Sequence, residues 1–210
     1  MPRVLSEQDI RDFRSDAIAQ ATRLIAENGY AGVTMRSLAS EMGCSTMTPY
    51  RYFENKEDIF RQACVAAFER LGRRCEAVAE QYDDPVERLR ALGREYVRFA
   101  RAEPHAYRIM FQLEKPVALG EDPDIDAELR RGWQTVLATC EECVKRGRLV
   151  GDPLTLAHIA WLGLHGVVTL HLSARLNFQR ELDDLLEPML ENFIRGSEAR
   201  PSSEAEGDES

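Results

Sequence analysis

The sequence predicts an all-α protein of about nine helices: an N-terminal three-helix segment holding a helix-turn-helix, followed by a larger helical bundle. Three observations carry this expectation. Apolar residues recur at helical spacing along most of the chain, as in Met35, Leu38, Ala39 and Met42. Capping residues stand in front of these runs, and Gly or Pro punctuates them. No alternation of apolar and polar residues is long enough for a useful strand.

The elements follow in order. Ser6 with Asp9 resembles a capping box; Ile18, Ala21, Thr22 and Ile25, flanked by Ala17 and Leu24, give the first helix its apolar face, and Asn28 and Gly29 end it. Thr34 caps a second helix, which Gly43 breaks. Ser45 caps a third, very short helix running to about Phe53, with Pro49 at its fourth position, where proline deletes only the first intrahelical hydrogen bond. Asn55 caps a fourth, faced by Phe60, Ala63, Cys64, Ala67, Phe68, Leu71, Cys75 and Val78. Asp83, Asp84 and Pro85 open a fifth, faced by Leu89, Leu92, Tyr96 and Phe99; Glu103 and Pro104 open a short sixth. After a loop from Pro116 to Asp124, the seventh carries Leu129, Trp133, Val136, Leu137, Cys140 and Val144 on one face. Asp152 and Pro153 open the eighth. The ninth, Leu182 to Arg195, turns Leu185, Leu186, Met189 and Phe193 inward. Residues 197–210 hold Ser, Glu, Ala, Gly and Asp with no aromatic residue, the composition of a disordered acidic tail. The expected organisation is 1–60 for the helix-turn-helix, 61–196 for the bundle and 197–210 for the tail.

Composition narrows the function. The 210 residues are 44% hydrophobic and 30% charged, enough apolar material for a core, and the net charge is -9. An indiscriminate nucleic-acid binder would be basic, so any anion-binding role is local. The first thirty residues lack the apolar core of a secretory signal, and five cysteines without framework spacing suggest a reduced, cytoplasmic protein. Leu154 to Leu172 is apolar, but with His158, His165, His171, Gly163 and Gly166 inside it reads as a helix buried on most of its circumference, not a membrane span.

The stretch "GCSTMTPYRYFENKEDIF", residues 43–60, carries the functional signal. The second helix of a helix-turn-helix lies in the DNA major groove. Lys56 stands at the start of a helix, where the dipole disfavours a cation by roughly 0.3–1 kcal/mol; a bound phosphate explains it, and so does a solvated lysine that tolerates the penalty. Thr46, Met47 and Thr48 lead the short helix and can reach base edges. Tyr50 and Tyr52 flank Arg51, and a tyrosine hydroxyl can donate to phosphate; the Tyr50 ring can equally pack on the first helix.

Ile18 to Ile59 resembles the DNA-binding domain of the TetR family of transcriptional regulators. The resemblance rests on Ile18, Ala21, Gly29, Thr34, Leu38, Ala39, Met42, Gly43, Ser45, Thr48, Tyr50, Tyr52, Phe53, Lys56 and Ile59, without a gap. It implies that Thr34, Tyr50 and Lys56 hold phosphates, and that Arg36, Thr46, Met47, Thr48 and Tyr52 approach bases or the adjacent backbone, with Ser45 capping the reading helix. Pro49 departs from the commoner leucine. Between Thr34 and Lys56 stand Arg36, Arg51 and Lys56 against Glu41 and Glu54, a barely positive balance that predicts moderate salt dependence. Trp161, His165 and Gly166 resemble the W…HG signature of one C-terminal subgroup of the family.

The expected partners are a palindromic operator in double-stranded DNA, a second copy of the chain, and a largely apolar small-molecule effector; no cofactor or metal is expected. Phe99, Tyr107, Met110, Phe111, Trp133, Trp161 and His165 are the candidate cavity residues, each also readable as core. Gly163, Gly166, Leu170, Ser173, Leu185, Met189 and Phe193 are the candidate dimer surface; the two glycines also fit a subunit core. Cys140 and Cys143 form a C-x-x-C, but it lies in a predicted helix with no second pair. No Gly-rich phosphate loop, G-x-S-x-G or H-E-x-x-H supports an enzyme. A helical protein adaptor would leave Tyr50 and Lys56 unexplained.

Overall fold

Helix boundaries fall where the sequence supplies caps. The computed structural model describes residues 6–111, 123–176 and 179–198. Along it run α1 (Glu7–Asn28), α2 (Met35–Glu41), a 3-10 turn (Pro49–Arg51), α3 (Lys56–Ala79), α4 (Pro85–Ala102), α5 (Pro104–Phe111), α6 (Pro123–Lys145), α7 (Pro153–Leu172) and α8 (Leu182–Ser197). Ser6 and Asp9 form the expected capping box on α1, and Thr34 forms another with Ser37 on α2. Asn55 Oδ1 accepts from Asp58 N–H at 2.9 Å to start α3, Asp84 Oδ1 accepts from Val86 N–H at 2.8 Å to start α4, and Asp152 caps α7. Gly43, at φ +64°, makes the turn after α2 that a residue with a Cβ rarely makes.

The chain divides into two compact units, Met1–Ala77 with Glu95–Gln134 and Val78–Arg94 with Thr135–Ser210. In the first, α1 packs against α5 and α2. Its core holds Ile25, Leu38, Ile59, Phe60, Phe99, Tyr107, Ile109 and Met110. Gly72 of α3 meets Gly132 of α6 backbone to backbone, with 3.5 Å between a Cβ built on Gly72 and Gly132 N. The buried Glu95 carboxylate accepts from Arg74 Nε at 2.5 Å and from Arg98. In the second unit α7 packs against α8. Arg90 and Arg94 of α4 pair with Glu191 and Glu187 of α8 at 2.6 and 2.7 Å.

Five expectations need correction. The third helix is not a Ser45-capped α-helix; Pro49 has no N–H to return to Ser45 O, so the chain turns through Thr48 N–H to Ser45 O at 2.8 Å and makes only a 3-10 turn. On α6, Leu129, Trp133, Val136, Leu137 and Val144 are half-buried; Ile125, Thr139, Cys140 and Cys143 are the buried positions. The core face of α8 is Leu182, Leu190 and Ile194, leaving Leu185, Leu186, Met189 and Phe193 half-buried beside it. On α7 only Leu156, Ala157, Leu164, Val167 and Val168 are buried, so it is not covered on most of its circumference. Ser197, expected as the first residue of the tail, instead closes α8, and its carbonyl accepts from Val150 N–H at 2.7 Å. Residues 199–210 and the expected loop up to residue 122 lie outside the described residues; Pro123 already belongs to α6.

Candidate nucleic-acid interface

The segment from Gly43 to Lys56 has an anchored side and an open side. Pro49 and Phe53 are buried. Met47 is 66% exposed and Tyr50 48%, and Thr46, Arg36 and Arg51 are exposed as well. The side chains of Arg36, Thr46, Met47, Thr48, Tyr50 and Arg51 have no hydrogen-bond or ion-pair partner among the described residues. Several arginines elsewhere pair with carboxylates: Arg61 with Asp124, Arg70 with Glu103, Arg88 with Glu142 and Arg148 with Asp84. The acidic net charge therefore coexists with two guanidiniums, Arg36 on α2 and Arg51 on the 3-10 turn, that have no carboxylate partner among the described residues, the local arrangement an anion needs.

Other predicted contacts serve structure first. Thr34 Oγ1 accepts from Ser37 N–H at 3.0 Å, and Ser45 Oγ from Met47 N–H at 3.4 Å. Lys56 Nζ donates to Tyr30 O at 2.9 Å and sits 3.9 Å from the centroid of the Tyr30 ring. This cation–π contact and hydrogen bond give a structural reason for a lysine at the helix start. Burial, helped by the Glu57 charge, pushes the Tyr30 hydroxyl up from its ordinary pKa, so the ring stays neutral beneath the ammonium. The tyrosine that packs on α1 is Tyr52, with its ring centroid 4.3 Å from that of Phe13; Tyr50 is free of it.

Sequence reasoning passed over Arg14 and Phe13. Arg14 donates to Tyr52 O at 3.0 Å and to Gln62 Oε1 at 2.8 Å, and its guanidinium carbon lies 5.2 Å from the Phe53 ring centroid. Gln62 in turn donates to Asp58 Oδ1 at 2.8 Å, and Asp58 Oδ2 accepts from Glu54 N–H at 3.1 Å. Burial raises the Asp58 carboxyl, but these donors and Arg61 outweigh it and hold the group below its ordinary range. No motif links residues 38 and 48 positions apart, so only the fold reveals this network.

The candidate effector residues fall in both units. Phe99, Tyr107 and Met110 are buried in the first, with Phe111 half-buried; Tyr107 stacks on Phe111 at 5.0 Å, and its hydroxyl lies 3.1 Å from that of Tyr96. Phe68 joins at 5.6 Å from Phe111, and Trp133 is half-buried. In the second unit Trp161 stacks on His165 at 5.4 Å, and His165 Nε2 lies 3.5 Å from Thr169 Oγ1. Burial lowers the His165 pKa. Cys140 and Cys143 are both buried on α6, and desolvation pushes their thiols up to about 12 and about 11.

Of the candidate dimer residues, Leu170 is 45% exposed and Gly166 and Ser173 lie at the surface. A Cβ on Gly163 would meet Met189 Sδ at 3.4 Å, so this glycine fits a contact within the chain; one on Gly166 would meet nothing. Leu154, Ile159 and Leu162 extend the exposed apolar side of α7. Among the described residues α7 is the one helix long and apolar enough, by length and composition, to cross a membrane.

Residues 17–63 match the family profile of bacterial regulatory proteins of the tetR family, and residues 89–193 that of the tetracyclin repressor-like C-terminal domain. The chain belongs to the TetR family. Members are DNA-binding transcriptional regulators with a helix-turn-helix, and this TetR-family chain is such a regulator, not an enzyme. An HTH-type transcriptional repressor, AcnR of Corynebacterium diphtheriae, is 34% identical over 164 residues, 74% of this chain and 78% of the relative. An uncharacterized HTH-type transcriptional regulator of Mycobacterium tuberculosis is 31% identical over 111 residues, 52% of this chain; the chain spans about half (54%) of that relative's length. Among solved structures, FadR of Bacillus subtilis in complex with stearoyl-CoA shares the TetR-family fold with a TM-score of 0.74 at 20% identity, covering 87% of this chain and 98% of FadR.

Proposed function

We propose that this TetR-family regulator is a homodimeric repressor that binds a palindromic operator and is released from it by a largely apolar small-molecule effector. The observation that carries the DNA part is the reading turn, with Pro49 and Phe53 buried beneath it and Thr46, Met47, Tyr50 and Arg51, together with Arg36 of α2, open and without a side-chain partner among the described residues. Residues 1–60 are its DNA-reading portion and 61–196 its regulatory portion. Thr34, Ser45 and Lys56 keep their caps and contacts and lend remaining donors to phosphates. Tyr52 contributes through its hydroxyl, because its ring packs on Phe13.

Dimerisation uses the exposed side of α7, from Leu154 through Ile159, Leu162 and Gly166 to Leu170 and Ser173, with Leu185, Met189 and Phe193 of α8 beside it. This use accounts for an apolar helix face left open to water. A twofold dimer reads a palindrome whose half-sites lie about one helical turn of DNA, or a multiple, apart. The regulator works in the cytoplasm, where its operator is.

Repression is supported by AcnR, a transcriptional repressor 34% identical to this chain. An effector with a large apolar part is supported by the aromatic group of the first unit and by FadR, a fold relative solved in complex with stearoyl-CoA, whose acyl chain is apolar. Phe99, Tyr107, Met110, Phe111 and Trp133 border its site; Trp161 and His165, stacked on each other in the second unit, serve that unit's packing. Trp133→Ala is expected to weaken the effector response while DNA binding persists.

Retention of sheared genomic DNA by the purified full chain, with the retained fragments sequenced, tests the reading. A shared palindrome is expected. Uniform retention of unrelated fragments, or none at low salt, would contradict it.

A further inference from the structure

We infer that Arg14, aided by Phe13, is a positioning residue for DNA recognition: it holds from outside a reading turn that Pro49 has left too short to hold itself. The inference rests on the assignment of this turn to DNA.

Pro49 brings no N–H, so no α-turn closes onto Ser45 O. What remains between Pro49 and Phe53 is Arg51 N–H to Thr48 O at 3.1 Å, and Tyr52 and Phe53 N–H to Pro49 O at 3.0 Å. A single 3-10 turn has poor hydrogen-bond geometry and does not persist alone. The carbonyls at its end lack intrahelical donors. Arg14 supplies one to Tyr52 O at 3.0 Å, and its positive charge is the sign the dipole favours at that end.

The same guanidinium donates to Gln62 Oε1 at 2.8 Å on α3 and lies over the Phe53 ring, so one planar fork joins α1, the end of the turn and α3. Gln62 and Asp58 continue the link to the Glu54 amide. Phe13, stacked on Tyr52, fixes the adjoining ring. A lysine cannot make two directed bonds from a rigid fork.

The test uses the full chain in five forms: unaltered, Arg14→Ala, Arg14→Lys, Pro49→Ala and Arg14→Ala with Pro49→Ala. Pro49→Leu is the second helix-restoring variant if the alanine form does not fold. Two quantities are read: hydrogen exchange of amides 51–56 without DNA, and affinity for a duplex carrying the palindrome retained by the unaltered chain. Arg14→Ala is expected to speed exchange and weaken DNA binding each about tenfold, the worth of a charged hydrogen bond, while exchange in α7 and α8 is unchanged. Arg14→Lys behaves like Arg14→Ala. With Pro49→Ala, whose N–H lets the turn close as an α-helix, the loss on removing Arg14 falls below about threefold.

Equal loss in both backgrounds, no loss at all, or full rescue by lysine would each overturn the inference. If the unaltered chain retains no specific duplex, the DNA assignment fails, and the exchange data still decide whether Arg14 braces the turn.

Discussion

The reading turn and α7 both present open side chains to solvent, but they are built in opposite ways. The turn is a few residues pinned by buried Pro49 and Phe53 and by Arg14 at its end, and it exposes hydroxyls, a phenol, a thioether and a guanidinium. α7 is a twenty-residue helix held by its own hydrogen bonds, and it exposes Leu154, Ile159, Leu162 and Leu170. One surface is polar and locally positive, fit for an anion; the other is apolar, fit for its own copy. Despite a net charge of -9, Arg36 and Arg51 have no carboxylate partner among the described residues, whereas arginines such as Arg88 and Arg148 do.

The most forceful way to break this contrast is a charge on α7. Leu162→Arg places a cation on a side chain that is 58% exposed in the single chain. The dimer dissociation constant is expected to rise about a hundredfold, as at an interface hot spot, with DNA binding falling in step and the melting temperature of the isolated chain almost unchanged. Sedimentation and thermal melts measure both. A dimer as tight as the original would remove α7 from the interface.

Acid separates the two regions by pH window. Burial lowers the folded-state pKa of His165, so the stability it contributes is present above about 6.5 and is lost as pH falls from there through the folded value. The Asp58 carboxyl is also lowered, but from a carboxylate value, so its contribution persists until pH falls below about 3.9. Hydrogen exchange between pH 7 and 3 is expected to loosen α7 around His165 before the turn region at 54–58. The reverse order would contradict these assignments.

The smallest effect lies at the end of α7. Ala174 holds φ at +54°, a left-handed conformation that follows the helix, with Arg175 N–H donating back to Leu170 O at 2.8 Å. Ala174→Gly removes the Cβ strain and is expected to stabilise the second unit by about 1 kcal/mol, measured by denaturant melts. Destabilisation would mean that the Ala174 methyl contributes packing that outweighs its strain.

Much of this was legible in the sequence because caps are local. Ser6 with Asp9, Thr34, Asn55 with Asp58, and Asp152 each announce a helix within four residues of its start. The shape of the reading turn was not, because Pro49 at the presumed fourth position seemed harmless to an α-helix that never forms. The side of α7 that stays open was hidden for another reason: Leu162 and Leu164 are equally apolar, and hydropathy does not distinguish a core from an interface. The partner of Lys56 and the brace of Arg14 depend on residues 26 and 38 positions away in the chain. Spacing rules do not reach that far.

On the proposed reading, the open face of the turn at Tyr50 and Arg51 reads DNA while its buried face only holds it. The most direct test is the affinity of the full chain carrying Tyr50→Ala and Arg51→Ala for the retained duplex at two salt concentrations. These side chains are exposed and unpartnered, so the fold is expected to melt as before, while affinity falls about a hundredfold and the salt slope shrinks by about one phosphate per subunit. Unchanged affinity and slope in a folded double variant would contradict the account.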